Sequence, residues 1–600
     1  MDRKLSNKIS GRMLPAFELL LLLIVAAFLF VRVHYGIDWT DESWYVGDAY
    51  LVSQGAVPYT NNWSQTPGYT LPLAIIYGMY VELFGTEGIV LFSRLLYVLW
   101  SIAVGLLVMW LVRKKLDSTL PLSWYLPYFL INSCVLASAI YNISYDSTGY
   151  VYLPLVITLV FCGWGMRDRR AFFYGLAAGV VGARMIIGSP FTMFPCFILF
   201  AVLLLRRENK LALGTLCGVL ASAVVVVGWC CVRAGAGNFI YGMFSWLKDY
   251  CYFKIEKEAG FTDGVRFLLN YLKPAALYLF CAVLFRLVFA KREKAFGISL
   301  AVLMAVFLGA GMYRGCEALF LGANATVYFA MKICKYTWCG AFGLLLLKKK
   351  HRKYYALCLV DLLYFSVYVF SSFGNIYGFS LREYWLLMPS ILSFTALYYL
   401  MAELSGVKNW LKAAFVIGIC LILLMQFKAA NLNIYRDEPI EDLNTKVETG
   451  IWKGCYTTRD TAAAVQELEA YIRQIGEPGE KLLFLDWVSF GYLMSESDFC
   501  TPSALDPCAY YYKPNNPEIF YDYFYMEKQV PDRIVYVWFD YAECLSIEDE
   551  NWKFNDFVNS FYEKAQSGFE NELFRVVEYK LTDAEAAIAY AEENASKFGM

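Results

Sequence analysis

The sequence predicts an α-helical polytopic membrane protein of about thirteen transmembrane helices, closed by a C-terminal extracytoplasmic α/β domain. Three observations predict it. Of 600 residues 59% are hydrophobic and only 18% charged, too few charges to solvate a water-soluble surface of that size. Apolar runs near the length that crosses a bilayer recur along residues 1–435. The small net charge of −1 hides a division: from Arg436 onward there are 14 Lys/Arg against 32 Asp/Glu, and before it 38 against 21. A basic membrane body (1–435) is joined to an acidic domain (436–600).

A helix rises ~1.5 Å per residue, so a crossing takes roughly 20 apolar residues. That ruler predicts spans over 14–33, 88–112, 120–140, 147–166, 171–187, 190–205, 211–233, 272–290, 296–312, 327–347, 354–373, 384–401 and 409–429. Cations gather in alternate connections, at Arg3–Arg12, Arg113–Lys115, Arg167–Arg170, Arg206–Lys210, Lys291–Lys294 and Lys348–Lys353, whereas none occurs between Arg32 and Arg94. The positive-inside rule then places the N-terminus in the cytoplasm, and an odd number of crossings places the acidic domain outside. The first apolar run lacks a small-residue cleavage site and reads as a retained anchor.

In the acidic domain 458–474, 515–528 and 551–565 read as helices, and 481–487 and 533–539 as buried strands. Most of the 17 cysteines lie in spans as small apolar packers, while Cys500 and Cys508 lie outside and would pair in an oxidising compartment. No Cys/His spacing suited to a metal, no phosphate-binding glycine loop and no nucleic-acid signature appears. There are two histidines. His351 falls in a cytoplasmic loop, so acid–base chemistry outside falls to carboxylates, with His34 as the other candidate.

The first extracytoplasmic loop, 34–87, is too long for a plain connector, and it is aromatic and apolar. It holds Asp38-Trp39-Thr40-Asp41-Glu42, then Gly55-Ala56-Val57-Pro58-Tyr59, then Thr66-Pro67-Gly68, then Phe84-Gly85, and leads to Arg94 inside the next span. Asp41 and Glu42 stand just beyond the first span, where the bland alternative is a hydrated pair capping an interfacial helix. Arg94 sits at membrane depth, where charge is costly and usually functional. Asp146 falls at the outer start of the fourth span.

This succession resembles the first loop of the membrane glycosyltransferases that use lipid-linked sugar donors, the GT-C type that includes the protein O-mannosyltransferases and the lipid A aminoarabinose transferase. The resemblance continues at Tyr145-Asp146 and, more weakly, at Gly182–Pro190 and Arg382–Pro389; it does not reach the acidic domain. It implies inverting transfer of a sugar from a polyprenyl-phosphate donor to a cell-envelope acceptor, a polymer, lipid or protein. Asp41 would be the general base, Glu42, Asp146 and Arg94 its companions, with Arg94 aligning Asp41 or meeting the phosphate. Arg184, Lys332, Lys335 and Arg382 are the further phosphate candidates, and snorkelling to the interface is the alternative for each lysine. The resemblance allows for a divalent cation, but the metal-binding histidine expected near the re-entry is missing from the run Gln65-Thr66-Pro67-Gly68. Other classes fit the composition too: a flippase or transporter of lipid-linked saccharides, whose internal repeats are not seen here, or an inactive relative serving as a scaffold.

Overall fold

A computed structural model describes residues 19–116 (except 21 and 65), 140–247, 260–319, 332–347, 355–373, 383–403 and 434–595, the last with gaps at 435, 477–478, 486–487, 496, 506–516 and 540–552. Among these residues six helical stretches are long and apolar enough to cross a membrane: Ile89–Lys115, Tyr145–Gly163, Arg169–Gly188, Asn209–Ala234, Leu268–Val288 and Glu293–Arg314. Shorter apolar helices lie at Leu22–Arg32, Leu73–Phe84, Pro190–Leu205, Ala356–Ser372 and Leu387–Leu397. We number the helices that matter below α1 (Leu22–Arg32), α2 (Asp41–Ser53), α3 (Leu73–Phe84), α4 (Ile89–Leu111), α5 (Tyr145–Gly163), α6 (Arg169–Gly188), α7 (Met193–Leu205) and α8 (Asn209–Ala234). The expected spans 120–140 and 409–429 lie outside the described residues.

The expected span 327–347 is corrected. Residues 332–337 are helical, but Gly340–Leu346 is a 3-10 helix. Distant side chains take over its backbone groups: the Ala341 N–H donates to Ser393 Oγ at 2.9 Å, and Tyr278 Oη donates to the Gly340 carbonyl at 3.0 Å. With those partners supplied, the backbone does not need the i−4 ladder there.

The closest helix crossing in the body is α6 on α8. Gly175 and Gly179 of α6 meet Gly214 and Gly218 of α8, each pair spaced by four residues and so on one face. A Cβ on Gly179 would stand 2.1 Å from the Thr215 carbonyl oxygen, and one on Gly214 2.1 Å from that of Phe172. Small residues let the two backbones touch, the usual means of association where lipid removes the hydrophobic drive.

The C-terminal domain is an α/β unit, as expected. A two-stranded ribbon, β1 (Thr445–Lys446) with β2 (Tyr456–Thr457), precedes α9 (Arg459–Ile475). Thr458 starts this helix, its Oγ1 accepting from the Thr461 N–H. The main sheet has five strands: β3 (Lys481–Leu485), β4 (Asp498–Phe499), β5 (Arg533–Trp538), β6 (Tyr562–Glu570) and β7 (Arg575–Leu581), in the order β4-β3-β5-β7-β6. β3 runs parallel to β4 and β5; β7 is antiparallel to both neighbours. Helices Glu518–Glu527, Phe554–Phe561 and Ala584–Asn594 complete it. The helix expected over 551–565 stops at Phe561, because from Tyr562 the chain pairs as an edge strand with β7. Cys500 is buried with no disulfide, and Cys508 lies outside the described residues.

This domain closes directly onto the first loop. Gly36 N–H donates to the Tyr456 carbonyl at 2.9 Å and Tyr456 N–H to that of His34 at 2.6 Å. Gly88 N–H reaches the Gly450 carbonyl at 2.9 Å, and Trp63 N–H that of Pro502 at 2.5 Å. Trp39 packs edge-on against Phe539 and Phe574. The loop is therefore the filling between two bodies, and nearly all of α2 is buried.

Candidate functional site

The site is built on α2. Its start is fixed by Asp38, whose Oδ1 accepts from Thr40 N (3.0 Å) and Thr40 Oγ1 (2.7 Å) and whose Oδ2 accepts from Glu42 N (2.8 Å). A carboxylate at a helix start satisfies donors that have no partner inside the helix and lies favourably along its dipole. Asp38 is buried, and burial first, with the charge of Asp41 next, pushes its carboxyl up to about 6.

Adjacent residues on a helix project about 100° apart, so Asp41 and Glu42 face different neighbours. Glu42, 2% exposed, takes Arg94 in a two-point fork: Nε to Oε1 at 2.7 Å and Nη2 to Oε2 at 2.5 Å. Arg94 spends its remaining donors on the carbonyls of Val33 (2.8 Å) and Gly36 (2.8 Å). Its carboxylate partner is Glu42 and not Asp41, and with the carbonyls of Val33 and Gly36 it ties α4 to the start of the first loop. Asp41 instead points to the other side, 30% exposed, with its Oδ2 3.9 Å from a guanidinium nitrogen of Arg436. A pocket of about 280 Å³, its mouth included, lies on the Glu42–Arg94 side, with Arg32, Asp38, Glu42, Arg94, Tyr141 and Ile434 in its wall, and Asp41 is not one of its lining residues.

Asp146 stands in the first turn of α5, which Ser144 and Ser147 start with a reciprocal capping box. Tyr45, one turn along α2 from Asp41, packs edge-on at 6.0 Å against Tyr145, the residue before Asp146. Burial pushes the Tyr45 phenol well above its ordinary range, and the charges of Tyr145, Asp41 and Asp146 add to that. Deeper along α2, Asp48 is fully buried and accepts from Trp44 Nε1 (2.9 Å), Tyr69 Oη (3.3 Å) and Ala504 N (3.3 Å). Burial holds its carboxyl at about 6.

The cations expected to meet a phosphate are spread out. Arg184, near the C-terminal end of α6, donates to the carbonyls of Gly68 (3.1 Å) and Tyr69 (2.8 Å), bracing the turn after Thr66. Its Nε is buried with no hydrogen-bond partner among the described residues. Lys335 lies over the Tyr271 ring at 4.6 Å, and Lys332 is half-buried near it. Arg382 lies outside the described residues. His34 Nδ1 pairs with the Gly454 carbonyl at 3.0 Å and so serves the domain contact. Among the described residues no group of three or more His, Cys, Asp or Glu could hold a metal ion.

Sequence reasoning passed over Asp48, Arg436 and Asp437. Asp48 stands seven residues, two turns, after Asp41 and therefore on the same face of α2, a spacing that was readable. Nothing in the sequence marks Arg436 as a partner of a residue 395 positions earlier.

No family model and no curated protein matches the chain. Among solved structures it is similar to a crystal structure of ArnT from Cupriavidus metallidurans bound to undecaprenyl phosphate. The similarity covers 94% of this chain and 98% of that one, at 11% identity and a TM-score of 0.42. At that depth the likeness carries no weight for the chemistry, which rests on the side chains described above.

Proposed function

We propose that this protein is an inverting membrane glycosyltransferase that moves a sugar from a polyprenyl-phosphate-linked donor to a cell-envelope acceptor on the extracytoplasmic face. The observation that carries the reading is the division of labour on α2. One carboxylate, Glu42, is buried and locked by Arg94; its neighbour, Asp41, is held on the same rigid turn but turned outward, 30% exposed and beside Arg436. A base needs such a fixed mount and an accessible oxygen.

In the step proposed, the acceptor hydroxyl attacks the anomeric carbon and gives its proton to the Asp41 carboxylate. The bond from that carbon to the phosphate oxygen breaks, its electron pair stays on the phosphate, and the anomeric configuration inverts. Negative charge gathers on the leaving phosphate, where fixed cations act most strongly away from water. Arg184, Lys332, Lys335 and Arg382 are the candidates for that task. Asp146, whose neighbour Tyr145 packs against Tyr45, is assigned to orienting the acceptor side of the site.

The test is Asp41→Asn in the purified full-length protein, which keeps size and removes the basic oxygen. Turnover should fall by ~10²–10⁴-fold with donor affinity nearly intact. A correctly inserted Asp41→Asn protein that turns over at the parental rate would sink this reading. The orientation it needs, cation-rich loops inside and the acidic domain outside, is checked by labelling single cysteines placed at Lys114 and Asn571 with a membrane-impermeant reagent. Only the second should react in intact cells.

A further inference from the structure

The segment that leads into the C-terminal domain is gripped on both sides of Arg436. Ile434 Cγ2 fills the space that a Cβ on Gly36 would need, 2.1 Å from its ideal position. Asp437 Oδ2 accepts from Ile37 N at 2.8 Å and from Thr457 Oγ1 at 2.9 Å. Between these grips Arg436 has φ +57°, in the left-handed region that a residue with a side chain adopts only where its surroundings hold it there. The grips fix the backbone a few residues ahead of Asp41, and the side chain between them reaches Asp41 Oδ2 at 3.9 Å. Arg436 also acts on Asp38, where its charge opposes the effect of burial. Ile434, two residues earlier, lines the pocket beside Asp38 and Glu42.

We propose that Arg436, delivered by the C-terminal domain, is a positioning residue for Asp41, so that the membrane body carries the base but the acidic domain aims it. This rests on the reading of Asp41 as the base. A carboxylate accepts a proton along the directions of its lone pairs, and a misplacement of about 1 Å can cost ~10²-fold in rate. A guanidinium nitrogen 3.9 Å from Oδ2 draws that oxygen toward its charge and so favours one rotation of the carboxylate, and with it the direction of Oδ1. The locked Glu42 cannot do this, because it lies about 100° round the helix. The acidic domain thus enters the chemistry without touching the donor.

The experiment uses the purified full-length protein in lipid nanodiscs. The donors are undecaprenyl phosphates carrying a hexose, an N-acetylhexosamine or a pentose, each offered with hydroxyl acceptors of the three kinds (an envelope polysaccharide, a glycolipid and a serine-containing peptide), and release of undecaprenyl phosphate is followed. Arg436→Gln should lower kcat by about 10- to 100-fold while KM for the donor moves less than about threefold. Arg436→Lys, which restores a cation without the planar fork, should recover part of the loss. Lys453→Ala removes the 3.1 Å domain contact to Glu87 away from the site and should leave kcat at the parental value. In an Asp41→Asn background the Arg436→Gln change should cost less than about twofold more, because the two act as one unit.

Parental kcat in Arg436→Gln, with Asp41→Asn inactive, would overturn the positioning role and leave the base in place. A raised KM at unchanged kcat would do the same, making Arg436 a donor contact. An equal loss of kcat in Lys453→Ala would show docking alone to matter and also refute it. Parental turnover in Asp41→Asn, or no release by the parent from any of the donors, would remove the reading beneath it.

Discussion

Replacing Arg94 by Met keeps the length and apolar stem of the side chain while removing every donor of its guanidinium. What that strands can be counted. Glu42, 2% exposed, loses both points of its fork, and the carbonyls of Val33 and Gly36 each lose a 2.8 Å partner. Removing one member of a buried ion pair costs about 3–5 kcal/mol, because the other charge is left uncompensated. All these contacts join α4 to the segment from Val33 to Glu42, so the loss falls on the first loop rather than on the helix bundle. At ~1.4 kcal/mol per factor of ten, amides of residues 34–53 should exchange with solvent about 10²–10³-fold faster in Arg94→Met, while α6 and α8 exchange as in the parent. Glu42→Met in the same chain should recover most of the loss, since an apolar pair of similar volume carries no stranded charge. Exchange in Arg94→Met within threefold of the parent would refute the reasoning. So would a double variant less protected than either single one.

Gly179→Leu should break the α6–α8 contact, where even a Cβ would stand 2.1 Å from the Thr215 carbonyl oxygen; a cost of about 1–3 kcal/mol or more is expected as a lowered unfolding temperature, and Gly228→Leu, with open space beside it, should not show it. Asp48 gives a pH dependence of definite sign. Its carboxyl stands at about 6 when folded against an ordinary 3.8, so the folded state holds a proton that the unfolded chain has released between those values. Its contribution is fully present below about pH 4 and is lost as pH rises through 6, by up to ~3 kcal/mol, and the difference in stability between pH 4.5 and 7 should shrink in Asp48→Asn. An identical pH slope in both proteins would count against this assignment. A chain ending before Arg436 should insert its helices but leave residues 34–88 open to protease, because the backbone donors of Gly36, Trp63 and Gly88 would lose their acceptors. A first loop as resistant as in the full chain would show that it folds by itself.

Much of the membrane body was legible, because hydropathy over some 20 residues is a strong local signal. Expected bounds of 88–112 against Ile89–Leu111, and 211–233 against Asn209–Ala234, differ by a residue or two. Strands β3 and β5 were legible as short buried apolar runs, and α9 as the helix expected over 458–474. The break at Gly340 was not, since its partners Ser393 and Tyr278 bind it from 52 and 62 positions away. The four glycines of the α6–α8 crossing were written in the sequence at four-residue spacing, but hydropathy passes over glycine, and which helix receives the stripe is a tertiary fact. The carboxylates of the candidate site were legible as residues and not as partners: Arg94 read as a companion of Asp41 and turned out to belong to Glu42.

That exchange of partners bears on how such a site is held. Coulomb attraction alone would let Arg94 serve either of two adjacent carboxylates. The choice is made by the turn of α2 and by the carbonyls of Val33 and Gly36, which fix where the guanidinium lies before either carboxylate is considered. Once Arg94 is saturated inside the membrane body, the only described guanidinium beside Asp41 comes from the far end of the chain, and it arrives through a segment that also closes Gly36 and Ile37. The loop has no sheet of its own, and its aromatic side chains Trp39 and Trp63 find their packing on the C-terminal domain. Composition divides the chain at Arg436 into a basic and an acidic half, and the division is real for charge. For the folding of the site it runs the other way: the first loop and the last domain form one unit, and the membrane helices between them are the frame on which it is mounted.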